Sequence, residues 1–472
     1  MDKKLLFWGL AVGIYTYLFY DQLHGYNVVV FSVVIIGLIM ASQSHVRQSK
    51  EWWLGCATYF AASLGLAWHT SPWLPMMYWM SLLVLAGLTY APKSSLLVAF
   101  CNGFLNLIGV SFFWKRKYLF QGFKHFVGNG KRVLGQAKYS LYVIPFSVTA
   151  FFYLLYCWAN PEFGIELPTF ELEVDFLLIG YILCIMISLC GLFYPVGESI
   201  LTQRDIAHSD SVERIRENRP NIKMLALAYQ NKEGVISFVM LNFLISIFLV
   251  FNLLQILVPG FYPSSKDFSG QLHEGFNALI ISILFAIGLI MYYFKGNLNF
   301  YSKNKLLIRL AVIWIVLNAC LGILTFYKNT VYIQSFGLTF KKVGVHLGLL
   351  LTLGGLILTY VKIKYRRSNM FLWRRNLWMV YIVTVTMGLV DWSRFMTWYN
   401  INYAKHLDLM YISTLEPSRL PYLKMLIEQK DSRVAGREKH LLEEIKYWKS
   451  THKLQPDWRS RCWDVEWLRK TL

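Results

Sequence analysis

Phe294-Lys295-Gly296-Asn297-Leu298-Asn299-Phe300 is followed by Asn304-Lys305-Leu306-Leu307 and then by an apolar run centred on Trp314 and Asn318. After that run comes Tyr332-Ile333-Gln334-Ser335-Phe336-Gly337-Leu338-Thr339-Phe340-Lys341-Lys342-Val343-Gly344-Val345, which opens another apolar stretch. The order is a basic turn, a long apolar stretch, a short polar connector and a second apolar stretch. A hydrocarbon core about 30 Å thick is crossed by about 20 apolar helical residues, so one crossing hands over to the next. The Gly296-Asn297 pair is ordinary turn chemistry, because Gly admits positive φ and Asn bonds its own backbone.

Working outward, the same alternation fills most of the chain. Of 472 residues, 56% are hydrophobic and 16% charged, against about a quarter charged in an average soluble domain. The fold class is therefore all-α, a polytopic helical membrane protein. Candidate spans are 4–20, 26–42, 52–69, 73–90, 95–114, 140–158, 175–195, 236–258, 274–294, 308–327, 343–362 and 376–392, twelve in all. The run Leu5 to Tyr20 has no small-residue cleavage site before Asp21, so it reads as a retained first span. Residues 1–392 make a transmembrane bundle, and 393–472 a small helical C-terminal cap. Within the cap, 417–430 and 435–453 read as helices, Pro417 suiting a first turn and Leu441, Leu442, Ile445 and Trp448 recurring at helical spacing. Trp463 and Trp467 share one face, either at the membrane boundary or against the preceding helices.

Basic loops set the orientation. Segments 115–139, 196–235, 295–307 and 363–375 are rich in Lys and Arg, and with these spans all four fall on one side, the cytoplasmic one. The opposite side receives 159–174, with Glu162, Glu166, Glu171 and Glu173 and no base. The N-terminal end conflicts: twelve spans leave Lys3, Lys4, Arg47 and Lys50 outside, against the rule. If 95–114, which holds Asn102 and Asn106, is re-entrant, eleven spans remain and the N-terminus is cytoplasmic. Twelve is the favoured count, which puts the cap outside.

The formal charge of +20 belongs to these loops and to anionic headgroups. No basic face with stacking aromatics lies in a soluble segment, so nucleic acid is not an expected partner. Cys56, Cys101, Cys157, Cys184, Cys190, Cys320 and Cys462 are scattered without metal or disulfide spacing. No cofactor or metal is expected: His273-Glu274 lacks a second ligand, and no phosphate loop, nucleophile elbow or zinc-protease motif occurs. The span centres lack Lys, Arg and acids, and carry Asn102, Asn106, Asn242, Asn252, Asn277 and Asn318 instead. Helix–helix hydrogen bonds account for such amides, and a proton relay through side chains is disfavoured. Gly180, Cys184 and Ser188, and Gly348, Gly354 and Gly355, have close-packing spacing. The segment 200–223 reads as a solvated loop, or as a docking surface for a cytoplasmic partner.

The turn at Gly296-Asn297, the Trp314/Asn318 span and the Gly-Leu-Thr-x-Lys-Lys connector together resemble a bacterial family of multi-pass membrane proteins known as domain of unknown function 4153/4173. The resemblance is clearest from about residue 280 to 425, where Tyr399-Asn400-Ile401-Asn402 and Leu407-Asp408-Leu409-Met410-Tyr411-Ile412-Ser413 also match in kind. It implies architecture and a place in the bacterial cytoplasmic membrane, and no activity. The expected role is a non-enzymatic envelope scaffold or signalling partner. The alternatives are a permease or lipid/small-solute handler, then a membrane-embedded transferase. Expected partners are membrane lipids and a protein at the cap or at 196–235. The candidate structural or partner site comprises Asn297, Trp314, Asn318, Gly337, Lys341, Lys342, Asp391 and Asp408. Asn318 is expected to bond a neighbouring helix, Gly337 to close a turn, and the connector to carry the cap.

Overall fold

The computed structural model describes residues 3–112, 149, 176–197, 199–214, 226–258, 268–453 and 457–472. The 115–139 and 159–174 loops, the 140–158 span, Cys157, Glu198, Arg216, Arg219, Lys223 and Pro456 lie outside them, as do the side chains of His273, Glu274 and Asn277. The described elements are helical: α1 (Lys3–Phe19), α2 (Tyr26–Ser42), α3 (Lys50–Trp68), α4 (Leu74–Tyr90), α5 (Leu96–Leu107), α6 (Phe176–Phe193), α7 (Ser199–Ala207), α8 (Leu227–Leu257) and α9 (Phe268–Tyr293). They continue with α10 (Lys305–Phe336), α11 (Phe340–Lys364), α12 (Asn369–Met387), α13 (Trp392–Tyr403), α14 (Leu409–Ser413), α15 (Leu420–Glu428), α16 (Glu438–Thr451) and α17 (Trp463–Thr471). Side-chain oxygens of Ser49, Thr339, Ser368, Asp391 and Asp408 cap α3, α11, α12, α13 and α14, accepting from backbone N–H groups left open at helix starts.

Helices α8, α10 and α11 are long and apolar enough to cross a membrane, and α2, α4, α5, α6 and α9 contain shorter apolar stretches. This is the build of an all-α helical membrane protein. Two cores hold it together. One gathers α1 to α6 with α12, around Trp8, Phe31, Trp52, Tyr59, Tyr78 and Phe193. The other gathers α8 to α11, around Phe238, Ile283, Trp314 and Leu349. They meet where Gly354 and Gly355 of α11 lie against Met379 and Asn376 of α12. Gly180, by contrast, has open space around it; the closest approaches are Gly87 against the Ala99 backbone and Gly103 against that of Leu83, joining α4 to α5.

The bundle has two ends. At one, Ser49 donates to Pro92 O, Ser95 N–H to Asp205, and Arg374 to Asp205 and Asp210. This basic end also holds the turn after α9, where Phe294 O accepts from Lys362. At the other, His69 Nε2 lies 3.0 Å from Gly388 O, and the α1–α2, α3–α4 and α10–α11 junctions meet the cap.

These ends correct the sequence topology. Helices α3 and α12 each run from the basic end to the cap end, so Arg47 and Lys50 join the basic loops. The N-terminus of α1 joins them too, and the conflict with the orientation rule disappears. Ser95 and Asp205 share the basic end, so the chain between them crosses an even number of times. That agrees with the alternative in which 95–114 is re-entrant; 140–158 belongs to the chain outside the described residues. Helix α5 is the short one: 12 residues rise about 18 Å, and Gly109 breaks the backbone at φ +91°. Its amides are occupied: Asn106 Oδ1 accepts from Val196 N, Asn106 Nδ2 donates to Val196 O, and Asn102 Nδ2 donates to Thr202. The count of twelve is thus not carried by the described residues.

Helix α10 also extends beyond the expected 308–327, so Lys328 to Phe336 are helical and the connector shrinks to Gly337, Leu338 and Thr339. The loop read as solvated contains α7, whose Asp205 is buried under Ser95 and Arg374.

Candidate functional site at the seam of bundle and cap

The connector does carry the cap. Gly337 sits at φ +75°, ψ 170°, and a Cβ there would come within 2.8 Å of Asn400 Oδ1. This backbone region belongs essentially to glycine. The close approach lets the Asn400 amide of α13 read both polar groups of Leu338: Oδ1 accepts from Leu338 N, and Nδ2 donates to Leu338 O at 2.9 Å. Tyr411 Oη accepts from Phe340 N at 2.8 Å, and Ile333, Leu338, Met396 and Leu415 close an apolar core beneath.

Lys341 and Lys342 part company here. Lys341 is exposed, whereas Lys342 is 4% exposed. Lys342 Nζ donates to Gly337 O at 2.6 Å and lies 4.1 Å from the centre of the Tyr332 ring. Asp408 adds electrostatic attraction to Lys342 while its Oδ1 caps α14 at Tyr411 N. Carbonyl, ring and acid together explain a lysine at the cap end.

Asp391 belongs to a second, denser group. Its Oδ1 accepts from Arg394 N and from Ser418 Oγ, both at 3.0 Å, and its Oδ2 lies 3.3 Å from Arg394 Nε. Arg394 also pairs with Asp464 of α17. Its guanidinium lies 3.8 Å from the centre of the Trp467 ring and 5.1 Å from that of Trp463, a cation–π arrangement. Glu416 accepts from Ser71 Oγ at 2.6 Å and from Ser393 Oγ at 3.1 Å, tying the α3–α4 loop to the cap. Trp463 stacks on Trp68 of α3 at 4.4 Å and 7°. The two C-terminal tryptophans thus pack on different parts of the protein, Trp463 on α3 of the bundle and Trp467 beside Tyr422 of α15. Asp464 is 2% exposed, and burial, then the neighbouring Asp391 charge, pushes its carboxyl up to about 7. Burial likewise pushes the Cys462 thiol up to about 11. Further out, Ser460 Oγ accepts from Leu23 N and donates to Gln22, and Tyr26 N donates to Arg461 O, so α1 and α2 are pinned as well.

The remaining expected residues lie elsewhere. Asn297 opens a short 3-10 turn, Asn297–Phe300, at the basic end. Gly296 there has φ −144° and open space, so the positive φ expected of it is absent. The turn is held by Asn299 Nδ2, bonded to Phe294 O and Gly296 O, and by Asn304 Nδ2 on Leu298 O. Lys362, 1% exposed, donates to Phe294 O at 2.6 Å and to Arg367 O. Trp314 and Asn318 are buried in the second core. Among the described residues Asn318 does not bond a neighbouring helix: Nδ2 donates to Trp314 O on its own helix, while Asn318 Oδ1 and the Trp314 indole N–H meet no partner there. Lys328, just beyond the expected end of its span, is helical and donates to Asn252 and Gln255 of α8.

A family model for a domain of unknown function (DUF4153) matches residues 7–426. The chain belongs to this family. The DUF4153 match covers the N-terminal helices, which resembled the family only in layout, and stops within α15, so α16 and α17 lie beyond it. No curated protein and no solved structure matches the chain. The family description carries no activity, so chemistry must be argued from the seam itself. Sequence reasoning reached Gly337, Lys342, Asp391 and Asp408, and quoted Asn400 within a family-like stretch without giving it a role, but missed Arg394 and Asp464. The spacing of Asp391 and Arg394 was a legible signal for one pair; nothing local tied Asp464 to either.

Proposed function

We propose that this protein is a multi-pass component of the bacterial cytoplasmic membrane that acts as a non-enzymatic scaffold or signalling partner. Its cap is the outward-facing docking unit. One observation carries this reading: the cap is fastened to separate bundle junctions at once, through Asn400 on Leu338, Glu416 on Ser71, and Ser460 on Leu23. A cap held at several points keeps a fixed surface for a partner and transmits force or displacement into the helices beneath. The basic loops and the N-terminus face the cytoplasm in this arrangement, consistent with the orientation rule. The permease or lipid-handling alternative draws on Lys328, held by two amide oxygens between α8 and α10, since an intramembrane cation is a functional candidate by default. Purification from native membranes in mild detergent separates them. A stoichiometric protein that is lost when Asn400→Ala loosens the cap supports the scaffold. Bound lipid or solute without a protein, lost on Lys328→Met and kept on Asn400→Ala, overturns it.

A further inference from the structure

The seam gathers three carboxylates, Asp391, Glu416 and Asp464, around the single guanidinium of Arg394. Arg419, the arginine nearest to Glu416 in sequence, is committed to Glu444 and the Leu415 carbonyl. Glu416 has two hydroxyl donors, and Asp391 has a hydroxyl, a backbone N–H and the Arg394 ion pair. Asp464 has Arg394 alone as its side-chain partner among the described residues. With all three acids charged, the seam holds three negative charges against the one positive charge of Arg394, and at the buried Asp391 and Asp464 such an excess is costly. Among the described residues no cation besides Arg394 is ion-paired with Asp464. From α15 come Tyr422, and Lys424, which is bonded to Leu472 O. From α3 comes Trp68, with His69 beyond it on Gly388 O. From α2 comes Tyr26, bonded to Glu466. On its own segment lie Cys462, and Arg461 paired with Glu466.

We propose that this seam is a proton-controlled latch, in which a proton held on Asp464 keeps α17 seated on α3 and α13 and its loss loosens the cap. Geometry singles out the residue, and its raised carboxyl supports the assignment. A carboxyl with an ordinary value of 3.8 that is pushed up to about 7 when seated binds more protons seated than free. Seating is therefore strongest at the acid side of this window. It weakens as pH rises between those two values, and changes no further above the upper one. The latch does not depend on what the cap binds.

The stacked Trp68–Trp463 pair gives a direct readout, because parallel indoles in contact have a near-ultraviolet circular dichroism signature that disappears when they part. The full-length protein in detergent is titrated from about pH 3.5 to about pH 8, spanning the linkage window. The expected result is loss of that signal as pH rises through this window, with greater Cys462 accessibility to a thiol reagent after the loss than before it. Asp464→Asn, a permanent mimic of the protonated acid, should hold the signal across the range. Asp391→Asn, which keeps an oxygen to cap α13 but removes the competing charge, makes the seated carboxylate less costly and should hold the signal to higher pH than the parent does. Glu466→Gln should titrate like the parent. A parent signal flat across the range overturns the latch, as does an Asp391→Asn midpoint that stays in place. That second variant decides the matter even if Asp464→Asn does not fold.

Discussion

Replacing Gly337 by alanine tests whether the connector's geometry seats the cap. At φ +75° and ψ 170° a residue with a Cβ is held in a region costing about 1 to 3 kcal/mol. The new Cβ would also lie 2.8 Å from Asn400 Oδ1, and relief of that contact moves the amide off Leu338. Two hydrogen bonds are at stake there, each contributing about 1 kcal/mol net. Together these give about 3 to 5 kcal/mol, or roughly a hundredfold or more in the opening equilibrium. The Leu338 and Phe340 amides, which donate to Asn400 and Tyr411, report it by hydrogen exchange in the detergent-solubilised protein. Gly296→Ala is the matched control, since that glycine has negative φ and open space and should change stability by less than about 1 kcal/mol. Wild-type protection of both amides in Gly337→Ala, or equal losses in the two variants, would refute the reasoning.

Lys362→Met removes the buried donor on Phe294 O and Arg367 O and should cost about 1.5 to 3 kcal/mol in thermal unfolding, whereas Lys364→Met, on an exposed side chain, should stay within about 0.5 kcal/mol. Asn318→Leu should leave stability unchanged or raise it by about 1 kcal/mol, because it deletes a buried acceptor without a partner among the described residues; a loss of more than about 2 kcal/mol would mean that this oxygen is satisfied after all. Single cysteines at Gln48 and Lys364, both at the basic end, should show the same accessibility to a membrane-impermeant reagent in intact cells, and Leu23 and His406 the opposite one. Opposite behaviour of Gln48 and Lys364 would restore the odd number of crossings between Ser95 and Asp205.

What the sequence determined by itself was set by local composition. Runs of apolar residues bounded by polar turns are enough to specify helices that belong in hydrocarbon, because an unpaired backbone there is prohibitive and the helix satisfies it within the segment. Gly337 was legible because a turn between two apolar stretches calls for a residue free of side-chain strain, and its positive φ agrees. Span ends were less so: Lys328 to Phe336 looked like a connector by polarity, yet α10 continues through them because Lys328 and Asn329 find partners on α8 and α11.

Only the tertiary structure decided which polar residues act together. Asn318 and Asn400 are the same side chain in similar helices; one bonds its own backbone and the other a chain segment 62 residues away. The number of crossings before Asp205 follows from where Ser95 and Asp205 meet, not from the hydropathy of 95–114. Asp464 lies 70 residues from Arg394, and its raised carboxyl arises from burial and from Asp391. A local pattern can say that a group is ionisable. The balance of charge and water around it exists only once helices distant in sequence have closed over it.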